Sequence, residues 1–323
     1  MPRRSPFFRL LPLIAAAGCA FGQAPARATP DSLTLATWNL EWLMTPATHV
    51  ALRPTCTRED QPYVPARSIP CDVAREPARG AADFSRLRQY VAQLEADVIA
   101  LQEVDGPDAA RQVFTDHDFC FTARRSVQNN GFAIRRGRGI RFVCGPDYAA
   151  LAAGRGHLRA GAQLTLFPGT PQELHLLGVH LKSGCARQRL DGSLEACELL
   201  SRQIAPLRAW VHMQATAGHR FMLLGDFNRR LAAEQGKARG GMWQELNRDA
   251  VAGASLTAIT AGQPYIKCSF SEPHGAYIDH IIAGEAAAAR WVPATFRRVS
   301  FEQRDVSRLK LSDHCPIAVD YRP

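Results

Sequence analysis

The sequence predicts an α/β fold of the α+β kind, in which sheet packs on sheet with helices outside. Three observations carry this reading. Strand-like segments outnumber helical ones and include hairpin-like neighbours, and the helical segments are one-sided and fall between strands. A chain of 323 residues with 46% hydrophobic content can also bury a sizeable core. That composition excludes a disordered chain and a fibrous one. No compositional step, linker or internal repeat divides it, so residues 25–323 read as one domain.

The elements follow in order. Leu10 to Gly22 is apolar and uncharged, too short for a bilayer span, and preceded by Arg3, Arg4 and Arg9, the pattern of a secretory signal peptide over residues 1–24. Cleavage after Ala24, in a Gly-Gln-Ala context, removes those three arginines and no acid, so the formal charge falls from +9 to +6. Two alternatives stay open: an uncleaved anchor, and lipidation at Cys19, because Ala16-Ala17-Gly18-Cys19 loosely resembles a lipoprotein site. Leu33 to Trp38 alternates as a strand ending at Asn39. Met44 to Gly80 carries six prolines and two cysteines and reads as a long surface excursion pinned by a disulfide. Phe84, Leu87, Val91 and Leu94 recur at helical spacing, with Asp83 as the cap.

Asp97 to Leu101 is a short apolar run leading into Gln102 and Glu103, as in a strand buried on both faces. Further strands are expected at Asn130 to Ile134, Ile140 to Cys144, Gly161 to Phe167, Leu174 to Leu181, Phe221 to Leu224, Ala276 to Ala283 and Ile317 to Tyr321. Leu200, Ile204, Leu207 and Val211 stripe a helix over Leu194 to Ala215, with Pro206 expected to kink it. Without Cys19, eight cysteines remain, enough for up to four disulfides in an oxidising compartment. Cys56–Cys71 and Cys185–Cys197 are the natural pairs, since each closes a polar stretch. No CxxC or Cys/His spacing suggests structural zinc.

Six segments place acids, amides or imidazoles at or just after a strand end: TWNLEW (Asn39, Glu41), LQEV (Glu103), GVHLKS (His180), LLGDFN (Asp226, Asn228), YIDHI (Asp279) and LSDHCP (Asp313, His314). One acid at a strand end is usually a turn former or cap. Six such ends converge on one rim of a packed sheet, and a buried carboxylate cluster there needs a cation. Oxygen ligands without cysteine favour hard Mg2+, with Mn2+ or Ca2+ as substitutes. The i, i+2 pairs Asn39/Glu41 and Asp226/Asn228 share one side of an extended backbone, so each is expected to present two groups to one centre. His180 and His314 would carry protons, and Asp279 would hold one of them in its tautomer. Such a set suits phosphate-ester hydrolysis.

In this order, from Thr37 to Pro316, the segments resemble the endonuclease/exonuclease/phosphatase superfamily that includes deoxyribonuclease I, and the GDFN and SDH motifs together make the resemblance specific. It implies a four-layer sandwich of two mostly antiparallel sheets flanked by helices, with a metal and phosphate site at one sheet edge. By that resemblance Glu103 is the principal metal ligand with Asn39 and Glu41 beside it, Asp226 orients or deprotonates the attacking water, and Asn228 binds the phosphate. His180 and His314 would flank that phosphate, with Asp279 paired to His314 and Asp313 near the metal. The chain departs from deoxyribonuclease I near Val127 to Ile134, where Gln128, Asn129 and Asn130 replace a carboxylate behind the first histidine, so an amide is expected to support His180. Abasic-site endonucleases lack a histidine at the GVH position, so His180, like the export signal, points away from repair, and the paired Cys185 and Cys197 after HLKSG, followed by the long helix, most resemble secreted bacterial nucleases of the superfamily.

Lys182, Arg229 and Arg230 are candidate phosphate contacts at the rim. Arg135, Arg136, Arg138 and Arg141 surround a Gly137/Gly139 turn and either extend a groove or keep a hairpin tip soluble. His280 should face away from the site, Trp38 and Trp42 should pack, and His49, His117, His157, His175, His212, His219 and His274 read as surface or packing residues. The net charge favours a polyanion, so the expected protein is a secreted or periplasmic monomeric Mg2+-dependent phosphodiesterase acting on DNA or RNA. The alternative is a secreted phospholipid phosphodiesterase of the sphingomyelinase type, which needs an exposed membrane finger.

Overall fold

The computed structural model describes Met1 and residues 29–56, 63–64, 69–124, 126–154, 157–235, 240–270, 272 and 274–323. The expected signal peptide and Cys19 lie outside the described residues, as does most of the stretch between Cys56 and Ile69. Along the chain the strands are β1 (Leu33–Leu43), β2 (Tyr63–Val64), β3 (Ile69–Pro70), β4 (Val98–Val104), β5 (His117–Phe121), β6 (Asn129–Arg135), β7 (Phe142–Cys144), β8 (Ala162–Leu166), β9 (Leu174–His180), β10 (Phe221–Asp226), β11 (Leu256–Ala258), β12 (Asp279–Gly284), β13 (Arg297–Arg298) and β14 (Ile317–Tyr321). Two six-stranded sheets run in the orders β13-β14-β1-β4-β6-β5 and β11-β12-β10-β9-β8-β7, while β2 and β3 form a small hairpin. At the centre of each sheet lies one parallel pair, β1/β4 or β9/β10. The other pairings are antiparallel.

Side-chain alternation assigns the layers. Leu33 and Leu35 of β1, Leu174 and Leu176 of β9, and Met222 and Leu224 of β10 meet between the sheets. Their neighbours face outward: Ala36 and Trp38 meet Phe84, Leu87, Tyr90 and Leu94 of helix Ala81–Leu94. On the other side, Leu177, Val179 and Leu223 meet Leu200, Ile204, Leu207 and Val211 of helix Glu195–Thr216. The result is helix on sheet on sheet on helix. Gly80 caps the first helix, and Asp83 sits three residues inside it, accepting the Gly80 amide at 2.7 Å.

Cys56–Cys71 and Cys185–Cys197 are bonded as expected, joined by Cys120–Cys144 and Cys268–Cys315. Cys120–Cys144 staples β5 to β7, the edge strands of opposite sheets. Four disulfides suit a non-cytosolic compartment. Among the described residues no helix is long and apolar enough to cross a membrane.

Candidate active site

Both parallel pairs end at the same rim. Asn39 pairs with Gln102 in one sheet and Asp226 with His180 in the other. β12 runs the opposite way and begins here, setting Asp279 beside Asp226, and His314 lies just before β14. Across the sheets the Asn39 amide donates to Glu103 Oε1 at 3.3 Å and Asp226 Oδ2 at 3.1 Å. His180 Nε2 lies 3.6 Å from Glu103 Oε1 and 3.5 Å from Asp226 Oδ2, while His314 Nε2 is 3.9 Å from Asp226 Oδ2. Glu41 Oε2 accepts the Asp313 amide at 3.0 Å, closing the cluster on its outer side.

Simple strand parity would not achieve this. Ile99 and Leu101 face the helix layer, and Glu103 shares their parity. A register shift between Leu101 and Val104, with φ 60° at Glu103, turns its carboxylate to the inter-sheet rim instead. Left-handed backbone recurs at Glu41 (φ 44°), Trp42 (φ 53°) and Asn228 (φ 51°). Each such residue costs about 1 to 3 kcal/mol, and this kind of strain concentrates at functional sites. The extended-backbone expectation for Asn39/Glu41 and Asp226/Asn228 is thereby corrected. Asn39 Oδ1 accepts the Glu41 amide at 3.0 Å and Asp226 Oδ1 the Asn228 amide at 2.7 Å, so both pairs are side-chain-closed turns. Gly225 is required beneath them: a Cβ there would lie 1.9 Å from the Val179 carbonyl oxygen.

The two imidazoles differ sharply. His314 Nδ1 bonds Asp279 Oδ2 at 2.8 Å. Burial opposes its charge, but Asp279, Asp226 and Asp313 outweigh that and hold His314 well above the ordinary histidine range. Asp279 is correspondingly held low, because its imidazolium partner outweighs its burial. His180 Nδ1 is buried with no partner among the described residues. The expected amide support is absent: Gln128 Oε1 accepts from Arg159, Asn129 donates to Ser126 O and Asn130 to Ala160 O. Burial, then the positive charges of Arg159, His314, Arg124 and Lys182, hold His180 well below its usual range. Burial pushes Asp226 up to about 7 despite the pull of His314. Burial and the neighbouring Asp313 carboxylate likewise push Glu41 up to about 7.

The cations divide into structural and open ones. Arg229 is 4% exposed, pairs with Glu234 at 2.5 Å and donates to the Cys185 and Gln188 carbonyls. It holds the loop after β10, so the phosphate contact expected of it is corrected. Arg230 is half-buried against the His274 carbonyl, and the Lys182 ammonium rests on Ser183 O at 3.1 Å. Arg138 pairs with Asp97 at 2.7 Å, at the opposite end of β4 from Glu103, so the Arg135 to Arg141 turn belongs to the far rim. Trp38 packs on Phe114 and its indole donates to His314 O at 3.0 Å. His280 faces away, bonding Arg229 O at 2.7 Å.

Four residues escaped the sequence reading. Arg79, 5% exposed, donates to the Leu40, Trp42, Lys310 and Leu311 carbonyls and locks the strained end of β1 to the loop before His314. Arg124 and Arg159 stand on the His180 side, and Arg124 Nη1 and Arg159 Nε are buried without a partner among the described residues. The His274 ring lies 5.6 Å from that of His314. None carries a local motif; only the fold brings them in.

The model of the Endonuclease/Exonuclease/phosphatase family matches residues 36–314. No curated protein matches the sequence significantly. Among solved structures, a humanised D. rerio TDP2 aligns with TM-score 0.58 at 17% identity over 91% of this chain and 100% of that one. D. rerio TDP2 complexed with single-strand DNA product gives 0.57 at 17% identity over 91% and 100%. The 3'-5' exonuclease NExo from Neisseria meningitidis gives 0.53 at 17% identity over 90% and 100%. At these identities the likeness is one of fold.

Proposed function

The chain belongs to the endonuclease/exonuclease/phosphatase family, and on that premise we propose that it is an exported, divalent-cation-dependent phosphodiesterase that cuts nucleic acid. The observation that best supports a phosphate substrate is the pair of desolvated, unpartnered guanidinium N–H groups on Arg124 and Arg159 beside the acid cluster. Buried donors of this kind suit an oxyanion. The formal charge of the exported chain, +6 after removal of residues 1–24, and the DNA-bound state of one solved relative favour a polynucleotide.

The donor set fits a hard cation. The Glu41, Glu103 and Asp313 carboxylates share the buried Arg79 guanidinium, which does not outweigh burial and Asp313 at Glu41, and the Glu41 carboxyl, raised to about 7, marks charge in need of compensation. Glu103, Glu41 and Asp313 would hold Mg2+, with Mn2+ or Ca2+ as substitutes. Asn39 turns its Oδ1 to Glu41 N and its amide nitrogen to Glu103, which makes it the residue that positions the ligands. When bound, the cation supplies electrostatic stabilisation of the phosphate oxygens. Asp226 lies between both imidazoles and orients the attacking water, taking its proton. Asn228, whose Nδ2 meets Leu181 O at 3.1 Å and Asp226 Oδ2 at 3.0 Å, holds the phosphate edge. His314, charged by Asp279, serves as the acid towards the leaving oxygen, and neutral His180 hydrogen-bonds the phosphate.

A second reading, phospholipid phosphodiester hydrolysis, draws on one observation. Tyr265, Ile266 and Phe270 are 37%, 43% and 52% exposed on the loop that Cys268–Cys315 ties to the residue after His314. This apolar edge would suit either bases or a lipid surface. Purified protein with Mg2+ should therefore be offered supercoiled DNA, single-stranded RNA and sphingomyelin vesicles in parallel. Cleavage of nucleic acid, lost with EDTA and in His180→Ala, is the expected result; hydrolysis of lipid alone would replace the polymer by a phospholipid.

A further inference from the structure

The strands that end in the active site begin at a second cluster. Glu173 precedes β9, His175 is its second residue, and His219 occupies the turn between helix Glu195–Thr216 and β10. Parallel pairing sets these starts side by side: His175 is in register with Phe221, and its amide donates to Arg220 O at 2.9 Å. His175 Nε2 lies 2.7 Å from Glu173 Oε1. The His175 and His219 rings stack at 4.1 Å with 10° between planes. One donor atom from each of the three residues lies within 4.8 Å of the other two. All three are half-buried at an open cleft, and five residue steps along β9, about 17 Å at 3.3 Å each, separate His175 from His180.

The surroundings prepare both rings as ligands. Gln214 Oε1 lies 2.9 Å from His219 Nδ1, and an amide oxygen can only accept, so the proton sits on Nδ1 and Nε2 keeps its lone pair. Thr165 Oγ1 stands 3.4 Å from His175 Nδ1 and can accept a hydrogen bond from it once a metal holds Nε2. Burial holds His175 below its usual range, and the Gly169 amide with His175 keeps Glu173 ionised. Arg220 also borders the cleft, with its Nη1 buried and without a partner among the described residues.

We propose that Glu173, His175 and His219 form a second metal site, separate from the active site, that takes a borderline transition ion such as Zn2+ in preference to Mg2+. Two imidazoles and one carboxylate are a zinc-type donor set, whereas Mg2+ demands oxygen. On binding, the proton that His175 Nε2 directs at Glu173 is released to solvent while Nδ1 takes one up facing Thr165 Oγ1, so the ring stays neutral and the metal takes the place at Nε2. His175 Nε2 and Glu173 Oε1 must part from 2.7 Å to about 3.3 Å, the tetrahedral separation for bonds of about 2.0 to 2.1 Å, one ring must turn out of the parallel stack so that both lone pairs meet the ion, and a fourth position stays open to water. The ion ties the start of β9 to the turn entering β10 and so braces the pair whose other ends carry His180 and Asp226.

Zinc titration calorimetry and melting curves on Glu103→Gln protein test this, because that background disables the principal acid of the active-site cluster. One equivalent of Zn2+ should bind and raise Tm. Adding His219→Ala should weaken binding by about ten-fold or more and abolish the shift, on the scale of losing a metal-supporting group. Adding His219→Asn, which keeps a polar turn residue, should do the same while leaving the metal-free Tm near that of the parent. Zinc uptake unchanged by both substitutions, or no uptake by Glu103→Gln itself, would overturn the proposal.

Discussion

His180 and His314 carry the same side chain in opposite surroundings, and that difference separates the roles proposed for them. His314 has an ordinary unfolded value of about 6.5. Raised in the fold, its charge contributes stability in full below that value, and the contribution is lost as pH rises through the folded value. Asp279, held low, contributes above its unfolded value of about 3.9 and loses that contribution as pH falls through the folded one. Asp279→Asn removes the Asp279 contribution and the largest part of the His314 one, leaving the pull of Asp226 and Asp313. His314 should then titrate at lower pH by imidazole NMR, and the alkaline limb of the pH–rate profile should move the same way; an unmoved limb would deny His314 the role of acid. Glu41 and Asp226 carry the opposite sign. With folded values of about 7 they bind protons that the unfolded chain releases, so stability falls with pH between about 4 and 7. Mg2+ should offset that loss, raising Tm more at pH 7.5 than at pH 5, as melting curves at the two pH values will check.

At the scale of elements, the site depends on loops held by buried arginines. Arg229→Ala strands Glu234 in the interior and should destabilise the protein by about 3 to 5 kcal/mol in denaturant melts. A substrate-binding arginine would instead weaken binding and flatten its salt dependence with little change in stability. Gly225→Ala drives a methyl into the Val179 carbonyl and should be destabilising by a similar measure. Among the disulfides, Cys268–Cys315 spans 47 residues and by loop entropy contributes about 4 kcal/mol, against about 3 kcal/mol for the 12 residues of Cys185–Cys197. Reduction should therefore lower Tm measurably, and an unchanged Tm would contradict this.

The strands that bury both faces, such as Val98 to Leu101, Leu174 to His180 and Ile317 to Tyr321, were legible because apolar runs bounded by polar ends have few other readings. His117–Phe121, Leu256–Ala258 and Arg297–Arg298 were not, being short edge or near-edge strands defined by their partners. The acids and imidazoles of the site were legible from their place at strand ends. The bulge at Glu103, the bare Nδ1 of His180 and the paths of Arg79, Arg124 and Arg159 are tertiary facts with no local signal.

For the molecule as a whole, a four-layer sandwich brings six strand ends from two sheets to one rim, where their acids repel unless a cation joins them. The strained turns shape that rim, and the Cys120–Cys144 staple ties the two sheets together at their β5 and β7 edges. The central claim is that these residues form one cation-dependent phosphodiesterase centre with Glu103 as its main metal ligand. The most direct test is hydrolysis of bis(p-nitrophenyl) phosphate as Mg2+ is titrated into metal-free wild-type and Glu103→Gln protein, with Tm recorded for both. The account predicts saturable activation of the wild type and, in Glu103→Gln, activity lower by about a thousand-fold with a folded, cooperatively melting protein, on the scale of losing a main electrostatic stabiliser. Wild-type turnover in excess EDTA, or a Glu103→Gln variant as active as its parent, would contradict it.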